Sequence, residues 1–353
     1  MKFDFDDILL VPETISSINS RKEVNPFDEN GMLPIFTAPM DTVVNEENCG
    51  VFIDNKIYTV LPRGTRTEVA STNDKKWLAY GLDEFADTFL RTSDAHYINE
   101  PMYVLIDVAN GHMEQVHTYA AQAKKKFGSR LVLMVGNIAN PKTFSQFEAI
   151  GVDYVRCGIG GGSGCLTSVQ TGVGYPMGSL IDECYQISAT KSNPPLIVAD
   201  GGFKKYSDVI KALALGADYV MLGSILNKAL ESCGETYEHR DYYKVEKGGL
   251  PGMRVLEMND RIIASFKSGT TFYKKYRGMS TKEVQRAWRK DELKTSEGIV
   301  KYNKVQYTLS TWAQNMEDYL RSAMSYTGSR TLEEFKASRF ELITQNAFNR
   351  FNK

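Results

Sequence analysis

The segment GIGGGSGCLTSVQTGVGYP, Gly158 to Pro176, sets one thiol, Cys165, inside a run of glycines directly after an apolar stretch. Cysteine reacts as a thiolate, and backbone N–H groups bared by glycine both stabilise negative charge and let a ligand approach closely. The bland alternative is an inert small residue in a strand-to-helix turn, a turn that needs one or two glycines. Five glycines, at 158, 160, 161, 162 and 164, fall within seven positions. That density points to a covalent nucleophile in a loop built around a ligand.

Two later strand-like runs end in residues suited to an anion. ADGG, Ala199 to Gly202, and LGS, Leu222 to Ser224, follow the cysteine loop in order along the chain. In a closed α/β barrel the loops after strands 7 and 8 often join a helix N-terminus to hold phosphate. An aspartate before two glycines can equally well cap the next helix. The succession of nucleophile loop, ADGG and LGS is what suggests a phosphorylated substrate.

Positioning these loops requires strands that end beside one another. LPIFTAPMD, KIYTVLPRG, MYVLIDVANG, RLVLMVGN, DYVRCGIGGG, PPLIVADGG and DYVMLGS are apolar nearly throughout, as strands of a parallel sheet buried on both faces are. HMEQVHTYAAQAKKKFG, KTFSQFEAIG and YSDVIKALALG lie between them with helical spacing, so strand and helix alternate about seven or eight times. A doubly wound sheet would show GxGxxG in its first turn, which the N-terminus lacks. Polar and glycine residues at the C-terminal ends of many successive strands favour a (β/α)8 TIM barrel instead. From about 233 to 304 the chain turns rich in charge, Gly and Tyr, as a flap or binding excursion does, and a C-terminal extension follows from about 307.

The chain has 353 residues with 42 basic and 43 acidic side chains, so no global field draws it to nucleic acid or to a membrane, and an anion must be held locally. Its five cysteines, at 49, 157, 165, 184 and 233, show no metal-ligand spacing, which fits a reducing, cytoplasmic setting. The opening MKFDFDDILLVPETI is acidic where a secretory leader is basic.

Assembled, these residues resemble the IMP dehydrogenase and GMP reductase family, barrel enzymes that bind a purine mononucleotide and a nicotinamide cofactor. The likeness runs from FDDILLVP (Phe5 to Pro12) through APMDTV (Ala38 to Val43) to RSAMSYTG (Arg321 to Gly328). The family's cysteine loop reads GIGPGSxCxT, and Gly161 stands here in place of the proline. The resemblance implies one barrel domain over 1–353 with no CBS regulatory pair, a catalytic thiol at Cys165 with Thr167 beside it, and K+ bound by the carbonyls of Gly160, Gly162 and Cys165. It carries ribose and phosphate binding to Ser163, Asp200, Gly201, Gly202, Gly223, Ser224, Tyr276, Gly278, Met279 and Ser280. It turns Asp107, Val108, Ala109 and Asn137 toward the nicotinamide, and it sets Arg63 where a lysine is expected to contact the cofactor. RSAMSYTG, with Ser322 and Ser325, would complete a neighbour's cofactor site in a homotetramer.

Within the resemblance, IDVANGH, TGVGYP and SEG (Ser296 to Gly298) match the reductase, whose motif glutamate falls on Glu297. No Arg-Tyr pair lies between 280 and 295, where the dehydrogenase carries its water-activating dyad. APMDTV, YRGM and Ser224 lean toward the dehydrogenase, while CLTS in place of CTTR and Arg63 leave room for a divergent specificity. The implied reaction is GMP reduction to IMP and ammonia with NADPH, with IMP oxidation to XMP by NAD as the alternative and a non-catalytic nucleotide binder as the contrasting class. His112 could touch cofactor or serve as a polar cap; His96, His117 and His239 show no metal spacing; Trp77, Trp288 and Trp312 read as packing residues in helix-like contexts.

Overall fold

A computed structural model describes residues 1–65, 73–91, 100–239, 252–255, 257–278, 281 and 298–351. After β1 (Ile8–Leu10) come β2 (Ile35–Thr37), β3 (Thr59–Leu61), β4 (Lys76–Tyr80), β5 (Met102–Asp107), β6 (Leu131–Ile138), β7 (Tyr154–Cys157), β8 (Leu196–Asp200) and β9 (Tyr219–Leu222). Strands β2 to β9 form one parallel eight-stranded sheet in the order β2-β9-β8-β7-β6-β5-β4-β3. Its two ends meet through a parallel bridge between Phe36 and Tyr58, with Thr37 N donating to Tyr58 O at 2.8 Å and Tyr58 N to Ile35 O at 2.9 Å. The sheet is thus a (β/α)8 barrel.

The connecting helices are α1 (Cys49–Asp54), α2 (Leu82–Phe85), α3 (Glu114–Phe127), α4 (Pro141–Ile150), α5 (Thr167–Thr171), α6 (Met177–Ser188), α7 (Tyr206–Ala214) and α8 (Ser224–Asn227). Local signals set their ends: α4 starts where the Asn140 side chain accepts from Lys142 N and Pro141 takes the first turn, and it stops at Gly151 with φ 80°. Among the described residues no helix is long and apolar enough to cross a membrane.

The N-terminal ends of the strands fill the barrel floor with aromatic rings. Phe36 lies 5.0 Å from Tyr58, 5.5 Å from Trp77 and 5.1 Å from Tyr219 between ring centroids, and Trp77 lies 5.0 Å from Tyr154. The Tyr58 and Tyr219 hydroxyls both donate to Asp28 Oδ2, at 2.5 and 3.2 Å. With the lower half packed, the open volume is left at the C-terminal mouth, where polar strand ends collect. All seven strands read from the sequence are present, and KWLAY supplies the eighth. Trp77, expected in a helical context, sits instead on β4, 1% exposed in this plug; Trp312 is buried on a helix, and Trp288 lies outside the described residues.

The excursion read as a flap carries a second sheet. Strands β10 (Thr236–Glu238), β11 (Met253–Val255), β12 (Phe272–Arg277) and β13 (Val300–Lys304) pair antiparallel in the order β11-β10-β12-β13, and α9 (Asp260–Lys267) precedes β12. Leu230, Phe272 and Val305 form a small core there with Ile262, Ile263 and Phe266. Asn227 ties it to the barrel: its Nδ2 donates to Thr42 O at 2.7 Å and Lys275 O at 3.0 Å, and its Oδ1 accepts from Asn303 Nδ2 at 2.8 Å. Arg277 adds an ion pair to Asp41, in the loop after β2. The chain then returns as α10 (Leu309–Tyr326), packed on α7, and passes α11 (Leu332–Phe335), β14 (Phe340–Leu342) and α12 (Gln345–Phe351). Strand β14 pairs with β1, so the two chain ends close one structure.

Candidate active site at the mouth of the barrel

The loops after β7, β8 and β9, joined by the ends of β5 and β6 and by β12, enclose a cavity of about 1190 Å³. Single-ligand pockets commonly span about 300–1,000 Å³, so this one has room for two ligands side by side. Its lining brings together Cys165, Thr167, Gly160, Gly162, Ser163, Asp200, Gly201, Gly202, Gly223, Ser224, Tyr276, Gly278, Arg63, Asp107, Val108, Ala109 and Asn137. Ser322 and Ser325 are not among the lining residues; they lie on α10, which packs on the barrel's outer face against α7. Met279, Ser280 and Glu297 lie outside the described residues.

Cys165 is half-buried, and its thiol donates to Thr167 Oγ1 at 3.2 Å. Thr167 opens α5, so the hydroxyl is fixed by the helix that the glycine loop feeds. The loop folds over tightly: Gly160 has φ +82°, and a Cβ there would stand 1.6 Å from Ser168 Oγ, so only glycine fits. Cys165 N donates to Gly162 O at 2.9 Å. From the opposite side, Cys165 forms an antiparallel bridge with Gly298, Ile299 N donates to Gly164 O at 3.1 Å, and Gly278 N donates to Ile299 O at 3.0 Å. The small sheet thereby clamps the cysteine loop to the end of β12 and to the residue that follows Glu297 in the chain.

Tyr276, buried at the inner end of β12, has its hydroxyl 3.6 Å from Met40 Sδ. Burial pushes the phenol up to about 12 against a hydrogen bond with Ser163 that lowers it, so it stays a neutral donor near pH 7.

A row of charged and polar side chains, Arg63, Asp107, Arg156, Asp200 and Asn137, lines the cavity itself. Arg156, on β7 and 8% exposed, donates from Nη1 to Asp107 Oδ1 at 2.5 Å and from Nε to Asp200 Oδ2 at 2.9 Å. Arg63 Nε donates to Asp107 Oδ2 at 2.9 Å, and Asn137 Nδ2 donates to Asp200 Oδ2 at 2.7 Å and to Gly158 O at 2.6 Å. Burial alone would raise the Asp107 carboxyl, but the Arg63 and Arg156 guanidiniums outweigh it and hold the group below the ordinary carboxylate range. Asp107 is therefore an anion with both oxygens committed to guanidinium, Oδ1 to Arg156 and Oδ2 to Arg63, while Asp200 commits only Oδ2. The sequence reading did not single out Arg156. Its signal was present, since one arginine in an otherwise apolar strand must find acids at neighbouring strand ends.

His112 resolves as a cap. Ala139 N donates to its Nε2 at 3.0 Å, which leaves Nδ1 protonated toward Thr143 Oγ1 at 2.9 Å. Burial, then the neighbouring His117, lower its basicity, and it joins the loop after β5 to the one after β6 without lining the cavity. Among the described residues no group of three or more His, Cys, Asp or Glu could hold a metal ion.

A closed parallel barrel with a thiol loop and glycine turns converging on a large cavity at its C-terminal mouth has the architecture of a barrel enzyme. Residues 98–351 match the family model described as IMP dehydrogenase / GMP reductase domain, and the chain belongs to that family. It is similar along 98% of its length to proteins named GMP reductase: 28% identical over 362 residues to that of Staphylococcus epidermidis strain RP62A, covering 98% of it, and 28% over 360 residues to that of Staphylococcus carnosus strain TM300, covering 98%. The GMP reductase of Mesoplasma florum is also 28% identical over 360 residues, with 99% of its length covered.

Proposed function

We propose that this chain is a GMP reductase, converting GMP, NADPH and two protons to IMP, ammonium and NADP+. The observation that carries the reading is the Cys165 thiol on Thr167 Oγ1, bridged to Gly298 inside a cavity large enough for nucleotide and cofactor together. Full-length similarity to proteins named GMP reductase supports the direction of the chemistry.

In this reading the Cys165 sulfur forms a bond to C2 of the purine. The Thr167 hydroxyl relays the thiol proton, giving up its own proton to the Glu297 carboxylate as it receives the one from sulfur, and the pair then returns a proton to the departing amine so that ammonia rather than an amide ion leaves. Bound NADPH supplies the hydride that takes the amine's place at C2. The C2–S bond then breaks and returns the thiol. Asp200 accepts from the ribose hydroxyls with the carboxylate oxygen not committed to Arg156, while Gly201, Gly202, Gly223 and Ser224, with Ser163, Tyr276, Gly278, Met279 and Ser280, hold the phosphate and sugar. Asp107, Val108, Ala109, Asn137 and Arg63 form the nicotinamide end, and the open space between Arg63 and the glycine loop fits that group. The carbonyls of Gly160, Gly162 and Cys165 hold K+. Ser322 and Ser325, remote from the cavity of their own chain, serve a neighbouring subunit of a homotetramer.

The test mixes purified protein with GMP and NADPH, and separately with IMP and NAD, in the presence of potassium, following absorbance of the reduced nicotinamide and release of ammonia. Loss of absorbance with GMP accompanied by ammonia is expected, and Glu297→Gln should slow it about 100-fold. Gain of absorbance with IMP and silence with GMP would replace the reductase reading with the dehydrogenase one.

A further inference from the structure

We propose that His112 is a positioning residue that makes cofactor affinity depend on pH: as a neutral ring it clasps the loop after β5 to the loop after β6, and on taking up a proton it releases the clasp. The inference rests on the reading above, in which the ends of β5 and β6 form the nicotinamide end of the cavity.

The loop after β5 runs from Val108 to Met113; Val108, Ala109, Asn110 and Met113 line the cavity, and His112 between them does not. At its root this loop is laced to the next by backbone bonds that no proton alters near pH 7. Val108 N donates to Gly136 O at 2.9 Å, Asn137 N to Val108 O at 2.6 Å and Gly111 N to Asn137 O at 2.7 Å. A Cβ on Gly111 would stand 2.7 Å from Asn137 O, so the two backbones touch there. The outermost rung is of a different kind: His112 Nε2 accepts from Ala139 N at 3.0 Å. A backbone amide can only donate, so this rung exists only while Nε2 carries no proton. The single proton of the neutral ring then sits on Nδ1, facing Thr143 Oγ1 at 2.9 Å on the first turn of α4. The His112 backbone N donates in turn to Asn110 Oδ1 at 3.1 Å, which ties the clasp to a residue that lines the cavity.

Imidazole is the side chain whose charge ordinarily changes between pH 5 and 8. Protonation turns Nε2 from acceptor into donor and sets two N–H groups head to head, so the ring and Ala139 must separate. With the root held by backbone bonds, the movement falls on Asn110 to Met113. The surroundings place the change on the acid side of neutrality, because burial, then His117 on α3, lower the basicity of His112. His117 hydrogen-bonds the Gly111 backbone and stacks on Phe147 of α4 with ring centroids 4.2 Å apart. Glu114 and Lys142, on the first turns of α3 and α4, are exposed, and Asp107 at the end of β5 is engaged by Arg63 and Arg156. Among the described residues His117 is thus the titratable group that bears on the ring. Cofactor affinity is therefore full above the His112 pKa and falls as pH drops through it. The nucleotide half, built from the loops after β7, β8 and β9 and from β12, owes nothing to this rung.

The experiment measures the dissociation constants of NADP+, which is stable in acid, and of GMP at pH 5 and pH 7.5 for wild type, His112→Gln, His112→Phe and His117→Gln. Glutamine reaches about as far as the ring and offers an acceptor that does not titrate, whereas phenylalanine offers none. The phosphates of both ligands titrate near pH 6 themselves, so each protein is read as the ratio of its two constants and the proteins are then compared. The NADP+ ratio should be about fivefold or more larger in wild type than in His112→Gln or His112→Phe, the change expected for one hydrogen bond, with the GMP ratio alike in all. His117→Gln should keep the acid loss. Hydrogen–deuterium exchange of residues 108–112 in the ligand-free protein at pH 5 should be faster in wild type than in His112→Gln, a readout that involves no ligand. A merely structural histidine would weaken binding equally at both pH values and leave the ratios alone. An NADP+ ratio in His112→Gln equal to that of wild type, one lost in His117→Gln instead, or a His112-dependent ratio found with GMP rather than NADP+ overturns the proposal. Turnover of GMP and NADPH by the wild type, run in parallel, reports on the reductase reading separately: absent turnover with the His112-dependent ratio intact removes that reading and leaves the clasp in place.

Discussion

Gly278→Ala adds one methyl group at the joint between the small sheet and the nucleophile loop. A Cβ at this position would lie 2.3 Å from Gly164 O and 3.0 Å from Gly298 Cα, where ordinary contact begins at 3.4 Å. Both obstacles are backbone, so no side chain can swing aside, and the two segments must separate by about 1 Å. The separation strains the bonds from Gly278 N to Ile299 O and from Ile299 N to Gly164 O. Losing both costs about 2 kcal/mol, and residual overpacking costs about 1–3 kcal/mol more. Domains are stable by about 5–15 kcal/mol, and the strain is local to the end of β12, so the barrel should remain folded at 25 °C with a lowered melting temperature. Activity should suffer more than stability, because Cys165 is bridged to Gly298 in the same joint. A shift of about 1 Å in a reacting group costs about 100-fold in rate. The assay is kcat for GMP-dependent NADPH oxidation, with the alkylation rate of Cys165 by iodoacetamide as a second readout of thiol placement. Gly50→Ala is the control: this position lies on α1, exposed, with nothing within 4 Å of an added Cβ. A folded Gly278→Ala protein that keeps more than half the wild-type kcat would refute the view that this backbone joint positions the nucleophile.

Three further outcomes follow from particular contacts. Lys274 is 1% exposed, its Nζ donating to Ser232 O at 2.6 Å, and burial pulls its pKa down to about 8. Below pH 8 native and unfolded chains both hold the proton and the fold bears the full cost of a buried ammonium; between about 8 and 10.5 only the unfolded chain holds it, so stability rises with pH. The gap corresponds to about 3 kcal/mol. The stability of Lys274→Met minus that of wild type, from urea denaturation, should therefore fall by about that amount between pH 8 and 10.5, and a difference independent of pH would count against it. Phe36→Ala removes the ring that meets four others in the barrel floor and should cost about 3–5 kcal/mol by the same method, with a loss under 2 kcal/mol showing that the plug collapses around the gap. Thr167→Val keeps the shape beside the thiol and removes its hydrogen-bond acceptor, so kcat should drop about 100-fold while iodoacetamide still labels Cys165; an unchanged kcat would take Thr167 out of the proton path.

What the chain disclosed in advance was set by how each element meets its surroundings. Strands β5, β6 and β8 are covered on both faces, so their sequences are apolar runs ending in Asp or a polar turn, and both the strand and its polar end can be read directly. Strand β4 is equally central, yet KWLAY is short, begins with lysine and carries a tryptophan; nothing local separates it from a helix turn, and only its place between β3 and β5 defines it. The excursion hid for a different reason. Along FYKKYR the inward positions of β12 are Phe272, Lys274 and Tyr276, so the two-residue rhythm that marks a strand is broken by a lysine on the buried face. That lysine is buried because Ser232 O awaits it across the joint with the barrel, a partner 42 positions away that no window on the sequence contains.

The same reasoning separates the parts of the site. Glycines that must lie against another backbone and a thiol among them announce themselves by type and density, because few other residues tolerate those positions. Arg156 is ordinary by type, and its acids lie on other strands, Asp200 on β8 to one side of β7 and Asp107 on β5 to the other, so its pairing exists only once β5, β7 and β8 lie in register. A buried guanidinium between two acids is expensive unless every donor edge is met. That requirement ties the register of three strands to the spacing of Asp107 and Asp200, and makes the distance between the two halves of the cavity a property of the barrel rather than of its loops.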